Sequence, residues 1–302
     1  MLGRWSPAGN HRKRDVVVSE EIEAQQPAVT VIIVNYNGRH HLPECLGSLQ
    51  SQTFEDFDTV FVDNASTDGS VEFVRENFPE VKIIESDTNL GCGGGRNLGI
   101  RHAMGHGEPD YIALIDNDLK LAPGYLQALV DHGQANPEAG IMGGRVYYYD
   151  GPEIIWYAGG YVSPGVYAQP PEGINTRDDG SHDEPLKCDY VVGCTMTIRR
   201  ETIEEIGLFD EDFFFEQDME YSIRARCAGI EVHYVPDAKM WHKVSRISPG
   251  RSQMLARWRY RLRLIRKHGG PKDWAIFVAT LPRRALRVLR KLVLYAFGRP
   301  YE

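Results

Sequence analysis

The chain has 302 residues, of which 42% are hydrophobic and 25% charged, and its formal net charge is −8. This is the composition of a folded soluble protein with one large or two small domains, and it excludes a coiled coil, a collagen-like chain and a wholly disordered chain. No apolar run approaches the roughly 18–20 residues of a membrane span. The first 26 residues lack the apolar core of a secretory signal, and five scattered cysteines without a CxxC pair indicate neither a disulfide framework nor a zinc site. We therefore expect a cytoplasmic protein.

The charge is distributed unevenly along the chain. Residues 251–302 carry 14 Lys and Arg against 2 acidic residues, whereas the rest of the chain is acidic. The acidic body argues against nucleic-acid binding, and the basic tail favours an anionic partner. Segments 257–268 and 283–295 have the pattern of basic amphipathic helices, which can lie on an anionic membrane surface. The alternatives are that these helices pack on the rest of the chain or form a contact in an oligomer.

Strands and helices alternate in the first part of the chain. Residues 1–27 mix charge, Gly and Pro, and we interpret them as a flexible N-terminal arm. Four short apolar runs, rich in β-branched residues, then predict buried strands at 29–34, 59–62, 81–84 and 111–115. Helical spacing or helix-capping residues follow each of the first three runs. This alternation predicts a Rossmann-like α/β fold, with a mostly parallel central sheet and helices on both faces.

The later part of the chain has fewer signals. A strand is predicted at 191–198, a helix that continues through Arg226, and a short strand at 231–235. We expect one domain over 28–245, with a nucleotide-binding half at 28–120 and an acceptor-binding half at 121–245. A basic helical extension at 246–302 follows.

Polar residues follow the predicted strands at the edge where such sheets bind ligands. Asn35 to Asn37 follow the first strand, Asp63 the second, and Asp116-Asn-Asp118 the fourth. Asp116 and Asp118 are two residues apart, so their carboxylates are expected on the same side of the chain, which suits Mg²⁺ or Mn²⁺. The alternative is a solvated loop. Asp63 either caps the following helix or accepts a hydrogen bond from the imide N–H of a nucleobase.

The glycine-rich segment 89–97 is predicted to be a flexible loop that leads into a helix at about Arg96. Backbone amides and a helix N-terminus suit an anion, and Arg96 adds a positive charge. The alternative is a tight turn that needs glycine. A dinucleotide-binding site would need G-x-G-x-x-G directly after the first strand, and the single Gly38 there excludes it.

Carboxylates cluster beside the apolar run 213–215. A carboxylate at the edge of such a patch is a candidate general base, because apolar neighbours hold its pKa in a useful range. The alternative is a cluster that caps the following helix. His242 follows the strand at 231–235, and a single histidine is more often structural than a ligand.

Seven motifs in register resemble family 2 nucleotide-sugar glycosyltransferases of the GT-A fold over about residues 28–245, most of all the branch of rhamnosyl- and galactofuranosyltransferases. They are VTVIIVNYNG, VDNASTDGS, NLGCGGGRNLG, IDND, GCTMTIRR, IGLFDEDFFFEQDMEYSIRARCAG and WHKVS. The resemblance implies an inverting, metal-dependent enzyme that moves a sugar from a UDP- or dTDP-sugar to a glycan or lipid-linked acceptor. Such an enzyme would stay cytoplasmic or peripheral on the inner face of the membrane.

The resemblance also implies roles for matching residues. Asp218 would be the catalytic base, and Asp118, of the DXD motif, and His242 would hold Mn²⁺ or Mg²⁺. The residues implied in nucleotide binding are Asn35, Tyr36, Asn37, Asp63, Gly91, Arg96, Asn97, Asp116 and Asn117. Those implied in acceptor binding are Gly193, Cys194, Glu216 and Gln217.

One position departs from the family pattern. The usual Glu-Asp pair at the base is replaced by Gln217-Asp218, so Glu216 and Glu220 are the fallback candidates for the base. Gln217 also favours an alternative function, a non-catalytic carbohydrate- or membrane-binding protein of the same fold. A nucleotidyltransferase is a further alternative, but it would need a basic signature near the first strand, which the Asn35–Gly38 loop does not provide.

Overall fold

The computed structural model describes residues 27–163, 165, 167–168, 170–213, 216–243 and 251–282. Residues 1–26 of the predicted arm, the predicted basic helix at 283–295, two residues of the apolar run 213–215 and the end of the WHKVS motif lie outside these ranges.

The described residues form thirteen strands and seven labelled helices. The strands are β1 (Val29–Asn35), β2 (Phe57–Asp63), β3 (Lys82–Glu85), β4 (Tyr111–Asp116), β5 (Leu119–Leu121), β6 (Ala139–Tyr148), β7 (Gly151–Tyr157), β8 (Val162–Ser163), β9 (Tyr167–Ala168), β10 (Thr176–Arg177), β11 (Leu186–Lys187), β12 (Met196–Arg199) and β13 (Glu231–His242). The helices are α1 (Leu42–Gln50), α2 (Ser70–Asn77), α3 (Gly91–His106), α4 (Tyr125–Ala135), α5 (Arg200–Ile206), α6 (Gln217–Cys227) and α7 (Arg251–His268). A 3₁₀ turn spans Gly193–Thr195, and residues 271–282 are also helical.

The central sheet has eleven strands. Eight of them follow the order β10-β7-β6-β12-β4-β1-β2-β3, and β13 lies beside β6 and also pairs with β5 and β11. The four predicted strands, β1 to β4, pair in parallel. Beyond β4 the sheet is mixed, because β12 runs antiparallel to both β4 and β6. A central sheet flanked by helices confirms the predicted α/β class. The prediction of a mostly parallel sheet holds for β1 to β4 but not for the later strands, where most pairings are antiparallel.

The sheet has two functionally different edges. Two successive antiparallel pairings, of β4 with β12 and of β12 with β6, return β6 to the direction of β4, and β13 runs parallel to β6. The last residue of β13, His242, therefore lies at the same edge as the carboxyl ends of β1, β2 and β4, which we call the front edge. Glu231, the first residue of β13, lies at the opposite edge, the back edge.

The glycine-rich segment is helical, so the prediction of a flexible loop up to Arg96 was wrong. Helix α3 begins at Gly91. A Cβ added at Gly95 would lie 2.6 Å from Val34 Cγ1, and one at Gly99 would lie 2.6 Å from Ile32 Cγ2. These glycines therefore let α3 pack closely against β1.

The basic helix α7 packs on the acidic segment before α6. Lys267 Nζ lies 2.6 Å from Asp210 Oδ2, and Arg263 Nη1 donates to the Asp212 carbonyl at 2.6 Å. Leu264 and Ile265 are fully buried on the same helix. Packing on the chain, one of the alternatives for the basic tail, thus holds for the described end of α7. Within the described ranges, every helix is too short or too polar to cross a membrane.

Candidate active site

The carboxyl ends of β1 and β2 hold a buried Asn–Asp pair. The parallel register places Asn35 beside Asp63, and Asn35 Nδ2 donates to Asp63 Oδ1 at 3.2 Å. The Ser66 amide donates to Asp63 Oδ2 at 2.7 Å. Asp63 does not cap α2, whose N-cap is Gly69. The carboxylate is thus held in one orientation at the front edge.

The loops after β1 and β4 are joined beside this pair. Asn117 Nδ2 donates to Asn35 Oδ1 at 2.5 Å, and Asn37 Oδ1 accepts from the Thr67 amide at 2.8 Å. The Tyr36 side chain, by contrast, is 53% exposed. This tyrosine therefore presents a free aromatic ring beside a rigid polar floor.

Two carboxylates and an imidazole meet at the front edge. Potential ligand atoms of Asp116, Asp118 and His242 all lie within 4.8 Å of one another. His242 Nε2 lies 3.0 Å from Asp118 Oδ1. Burial lowers the pKa of His242, but Cys194 and Asp118 raise it more, so this pKa lies well above its usual value. Carboxylate oxygens and an imidazole nitrogen are ligands that suit Mn²⁺, so the residues present fit a divalent cation.

Arg96 connects this cluster to the second half of the chain. Its buried Nη2 donates to Asp116 Oδ1 at 2.9 Å and to the Gly193 carbonyl at 2.9 Å. A Cβ on Gly193 would lie 2.5 Å from Arg96 Nη1, so only glycine leaves room for the guanidinium. The Gly193 amide in turn donates to Asp218 Oδ2 at 2.8 Å. A continuous series of contacts thus runs from Asp116 through Arg96 and Gly193 to Asp218.

Asp218 lies in the first turn of α6 and is half-buried. Its second oxygen, Oδ1, accepts from the Met219 amide at 2.8 Å. Two backbone amides therefore hold the carboxylate, and each oxygen keeps lone pairs for a further donor.

The side chains of the two residues before Asp218 contact helices α7 and α3. Glu216 has a left-handed backbone with φ of 60°, and its Oε1 lies 3.4 Å from Arg261 Nε on α7. Gln217 is buried, and a Cβ on Gly93 would lie 2.6 Å from Gln217 Oε1. Gln217 thus packs against α3.

Glu220, a fallback candidate for the base, is fully buried, and that prediction was wrong. It accepts from Arg224 Nη2 at 3.1 Å and His268 Nε2 at 3.0 Å, and Lys267 Nζ lies 2.9 Å away. Burial raises the pKa of Glu220, but these partners outweigh it and lower the pKa to about 2. A carboxylate so acidic and so enclosed is a poor proton acceptor; it instead anchors α7 to α6.

The remaining predicted residues are placed around this group. Gly91 begins α3, and its carbonyl accepts from Nδ2 of Asn64 at 3.0 Å. Asn64 is the residue directly after Asp63. Cys194 is buried beside His242. Asn97 is not brought to the nucleotide side. Its amide donates to the Phe209 carbonyl at 2.9 Å and its oxygen accepts from the Phe209 amide at 2.9 Å, so we assign Asn97 to packing.

Two residues that lie beside His242 and Asp118 were not among the predicted site residues. The Trp156 ring lies edge-on to His242, with ring centroids 5.3 Å apart. His41, to which we gave no role, is close enough to Asp118 to affect its pKa. Trp156 had no signal because it belongs to β7, which was not predicted; His41 could have been found from its position just after the Asn35–Gly38 loop.

The fold, a mixed α/β sheet flanked by helices, is that of the GT-A class. The profile of Glycosyl transferase family 2 matches residues 30–207, more than half of the chain. The chain belongs to this family.

Relatives of known structure or activity agree with that assignment. The chain is 27% identical over 229 residues to the N-acetylglucosaminyl-diphospho-decaprenol L-rhamnosyltransferase of Mycobacterium tuberculosis, covering 70% of this chain and 75% of that one. It superposes on S. aureus TarS 1-349 in complex with UDP with a TM-score of 0.57 and 18% identity, over 83% of this chain and 71% of TarS 1-349. GalNAc-T7 with UDP, GalNAc and Mn²⁺ gives a TM-score of 0.63 at 16% identity, over 86% of this chain and 51% of that one. These structures show the shared fold.

Proposed function

We propose that the protein transfers a sugar from a UDP- or dTDP-sugar to a glycan or lipid-linked acceptor, with inversion and with a bound divalent cation. The observation that carries this proposal is the series of contacts from Asp116 to Asp218. It joins a candidate cation site to a candidate base through one buried arginine.

The donor base is proposed to lie on the Asn35–Asp63 pair. Asp63 accepts from two protein donors, and a carboxylate has about four lone-pair positions, so an acceptor remains for an imide N3–H. Uracil and thymine both present this N–H. Tyr36 offers its exposed ring as a stacking surface next to that position.

Asp118 and His242, with Asp116 beside them, are proposed to hold Mn²⁺ or Mg²⁺. When bound, such a cation offsets the negative charge of a diphosphate. Because the imidazole must be neutral to bind a metal and the pKa of His242 is raised, cation affinity is expected to fall as the pH is lowered.

Asp218 is proposed to act as the general base. As the acceptor oxygen forms its bond to the anomeric carbon, Asp218 takes the hydroxyl proton, and the bond from that carbon to the diphosphate oxygen breaks. The buried Arg96 supplies a fixed positive charge close to the leaving diphosphate. A single displacement inverts the anomeric configuration.

A lipid-linked acceptor is favoured by the mycobacterial relative, whose name specifies a decaprenyl diphosphate carrier. We further propose that the protein works at a membrane surface that presents this carrier. Lys267 and His268 at the end of α7 are engaged with Asp210 and Glu220, so such contact would fall to other basic residues.

The test is transfer itself, followed by NMR. The chain is incubated with UDP- and dTDP-sugars, a polyprenyl-diphosphate-linked GlcNAc acceptor and Mn²⁺, Mg²⁺ or EDTA. We expect a cation-dependent product with inverted anomeric configuration. Product with retained configuration, or equal product in EDTA, would contradict the mechanism.

A matched pair of variants controls this test. Asp118→Asn removes a proposed cation ligand, and Asp110→Asn changes an exposed aspartate before the other end of β4. We expect transfer to be lost in the first variant and kept in the second.

A further inference from the structure

A second histidine–carboxylate cluster lies at the back edge. Glu138 directly precedes β6, and Glu231 begins β13; the parallel register places Glu231 beside Ala139, and the Glu231 amide donates to the Glu138 carbonyl at 3.2 Å. His233 is two residues further along β13, on the same face as Glu231. Potential ligand atoms of Glu138, Glu231 and His233 all lie within 4.8 Å of one another. The strand register therefore fixes three ligand-type side chains together.

Both nitrogens of the buried His233 ring have defined partners. Nε2 lies 2.9 Å from Glu231 Oε2, and Nδ1 lies 2.9 Å from His132 Nε2 on α4. A metal-bound histidine usually donates its other ring N–H to a neighbouring acceptor, which fixes the orientation of the imidazole. His132 Nε2 lies within hydrogen-bond distance of His233 Nδ1, so it is placed to be that neighbouring acceptor.

Lys187 occupies only one oxygen of the central carboxylate. Its Nζ lies 2.6 Å from Glu231 Oε1, whereas the imidazole contact uses Oε2. A cation bound to His233 Nε2 and Glu231 Oε2 would leave the lysine contact at Glu231 Oε1 and the His132 contact at His233 Nδ1 in place. The cluster is therefore arranged as a ligand set with its supporting contacts already in place.

We propose that Glu138, Glu231 and His233 form a second cation site, selective for a transition metal such as Zn²⁺, with His132 as a positioning residue. One imidazole nitrogen and two carboxylate oxygens are typical zinc ligands, with water completing the shell. His233 pairs with Met142 and His242 with Tyr148, six residues further along β6, so the two sites are about 20 Å apart. The site does not depend on the proposed function. Its effect would be to join the starts of β6 and β13 and so stabilise the sheet.

The test is calorimetric titration of ZnCl₂ into the full chain carrying Asp118→Asn, which removes the front cluster as a competitor. We expect one strong site per chain. His233→Gln and Glu138→Gln, in the same background, should each weaken it at least about tenfold, and His132→Asn should weaken it by about tenfold without abolishing it. Because Glu138 is exposed, its variant reports on binding even if His233→Gln disturbs folding.

Two rival ligand groups are controlled in the same series. His102 and His106 stack one turn apart on α3, and Cys227 is an exposed thiol. His106→Gln and Cys227→Ser should leave the strong site intact. Absence of a strong site, or its loss in either control variant rather than in Glu138→Gln, would overturn the proposal and leave the cluster as a hydrogen-bonded network.

Discussion

Strand β13 carries a histidine–carboxylate cluster at each end, and the two differ in their surroundings. At the front edge, His242 and Asp118 lie beside a buried arginine and the ends of three parallel strands. At the back edge, His233 and Glu231 have Lys187 and His132 as neighbours. Similar ligand atoms thus lie in different surroundings at the two edges.

The difference lies in what the parallel strands bring together. Their carboxyl ends place polar loops side by side at the front edge, which is where α/β sheets bind ligands. The back edge holds the beginnings of the strands, where the β6–β13 register brings Glu138, Glu231 and His233 together. We propose a donor site only at the front edge, where the cluster adjoins the polar loops at the carboxyl ends of the parallel strands.

The largest effect is expected at the front edge, from Asp218→Asn. The asparagine amide cannot take the proton from the hydroxyl group of the acceptor. The kcat should therefore fall by about 10²–10⁴-fold, the usual contribution of a general base. Donor binding, measured by calorimetry, should stay the same because Asp218 is separated from Asp116 by Arg96 and Gly193. The matched control is Asp237→Asn on the exposed side of β13. Full activity of Asp218→Asn would remove the assignment of the base.

Glu220→Gln should produce the next largest effect, on stability. The pKa of Glu220 is lowered from 4.5 to about 2, which corresponds to about 3 kcal/mol of unfolding free energy at neutral pH. Because the folded-state pKa is depressed, this contribution is present above about pH 4.5 and is lost as the pH falls toward 2. Urea unfolding at pH 7, 5 and 4 should show the gap between wild type and variant narrowing below pH 4.5. A gap that is independent of pH would contradict the ion-pair account of α7 docking.

Gly193→Ala should have a smaller effect, which tests the link between the two halves of the front edge. The added methyl group meets Arg96, and overpacking of this kind typically costs about 1–3 kcal/mol. We expect lower thermal stability together with reduced transfer, because Arg96 must move away from Asp116. Gly47→Ala is the control, since a Cβ there meets nothing within 4 Å. Equal behaviour of the two variants would argue against a tightly packed arginine.

The sequence predicted the front edge better than the second half of the sheet. The runs at β1, β2 and β4 are buried on both faces, so their apolar composition alone marks them as strands. Asp116 and Asp118 could be found because they directly follow such a run. The contacts that hold the front edge together could not be found in this way. Arg96 and its partner Gly193, for example, are 97 residues apart in sequence, so their contact leaves no local pattern.

Two errors have a common physical cause, which is tertiary packing. Gly95 and Gly99 belong to a run that looks like a loop, yet their four-residue spacing is that of a helix face packed against β1. Glu220 looked like a candidate base in sequence, but two of the side chains that pair with its carboxylate, Lys267 and His268, come from α7, far along the chain. Neither contact can be deduced from local composition.

The assignment of the front edge as the donor site is tested most directly by calorimetry. UDP is titrated, in the presence of Mn²⁺, into the wild type, Asp118→Asn and His233→Gln. We expect Mn²⁺-dependent UDP binding to the wild type and to His233→Gln, and its loss in Asp118→Asn, because only the front cluster adjoins the proposed nucleotide site. Equal binding to all three proteins, or loss in His233→Gln alone, would contradict the assignment of the front edge as the donor site.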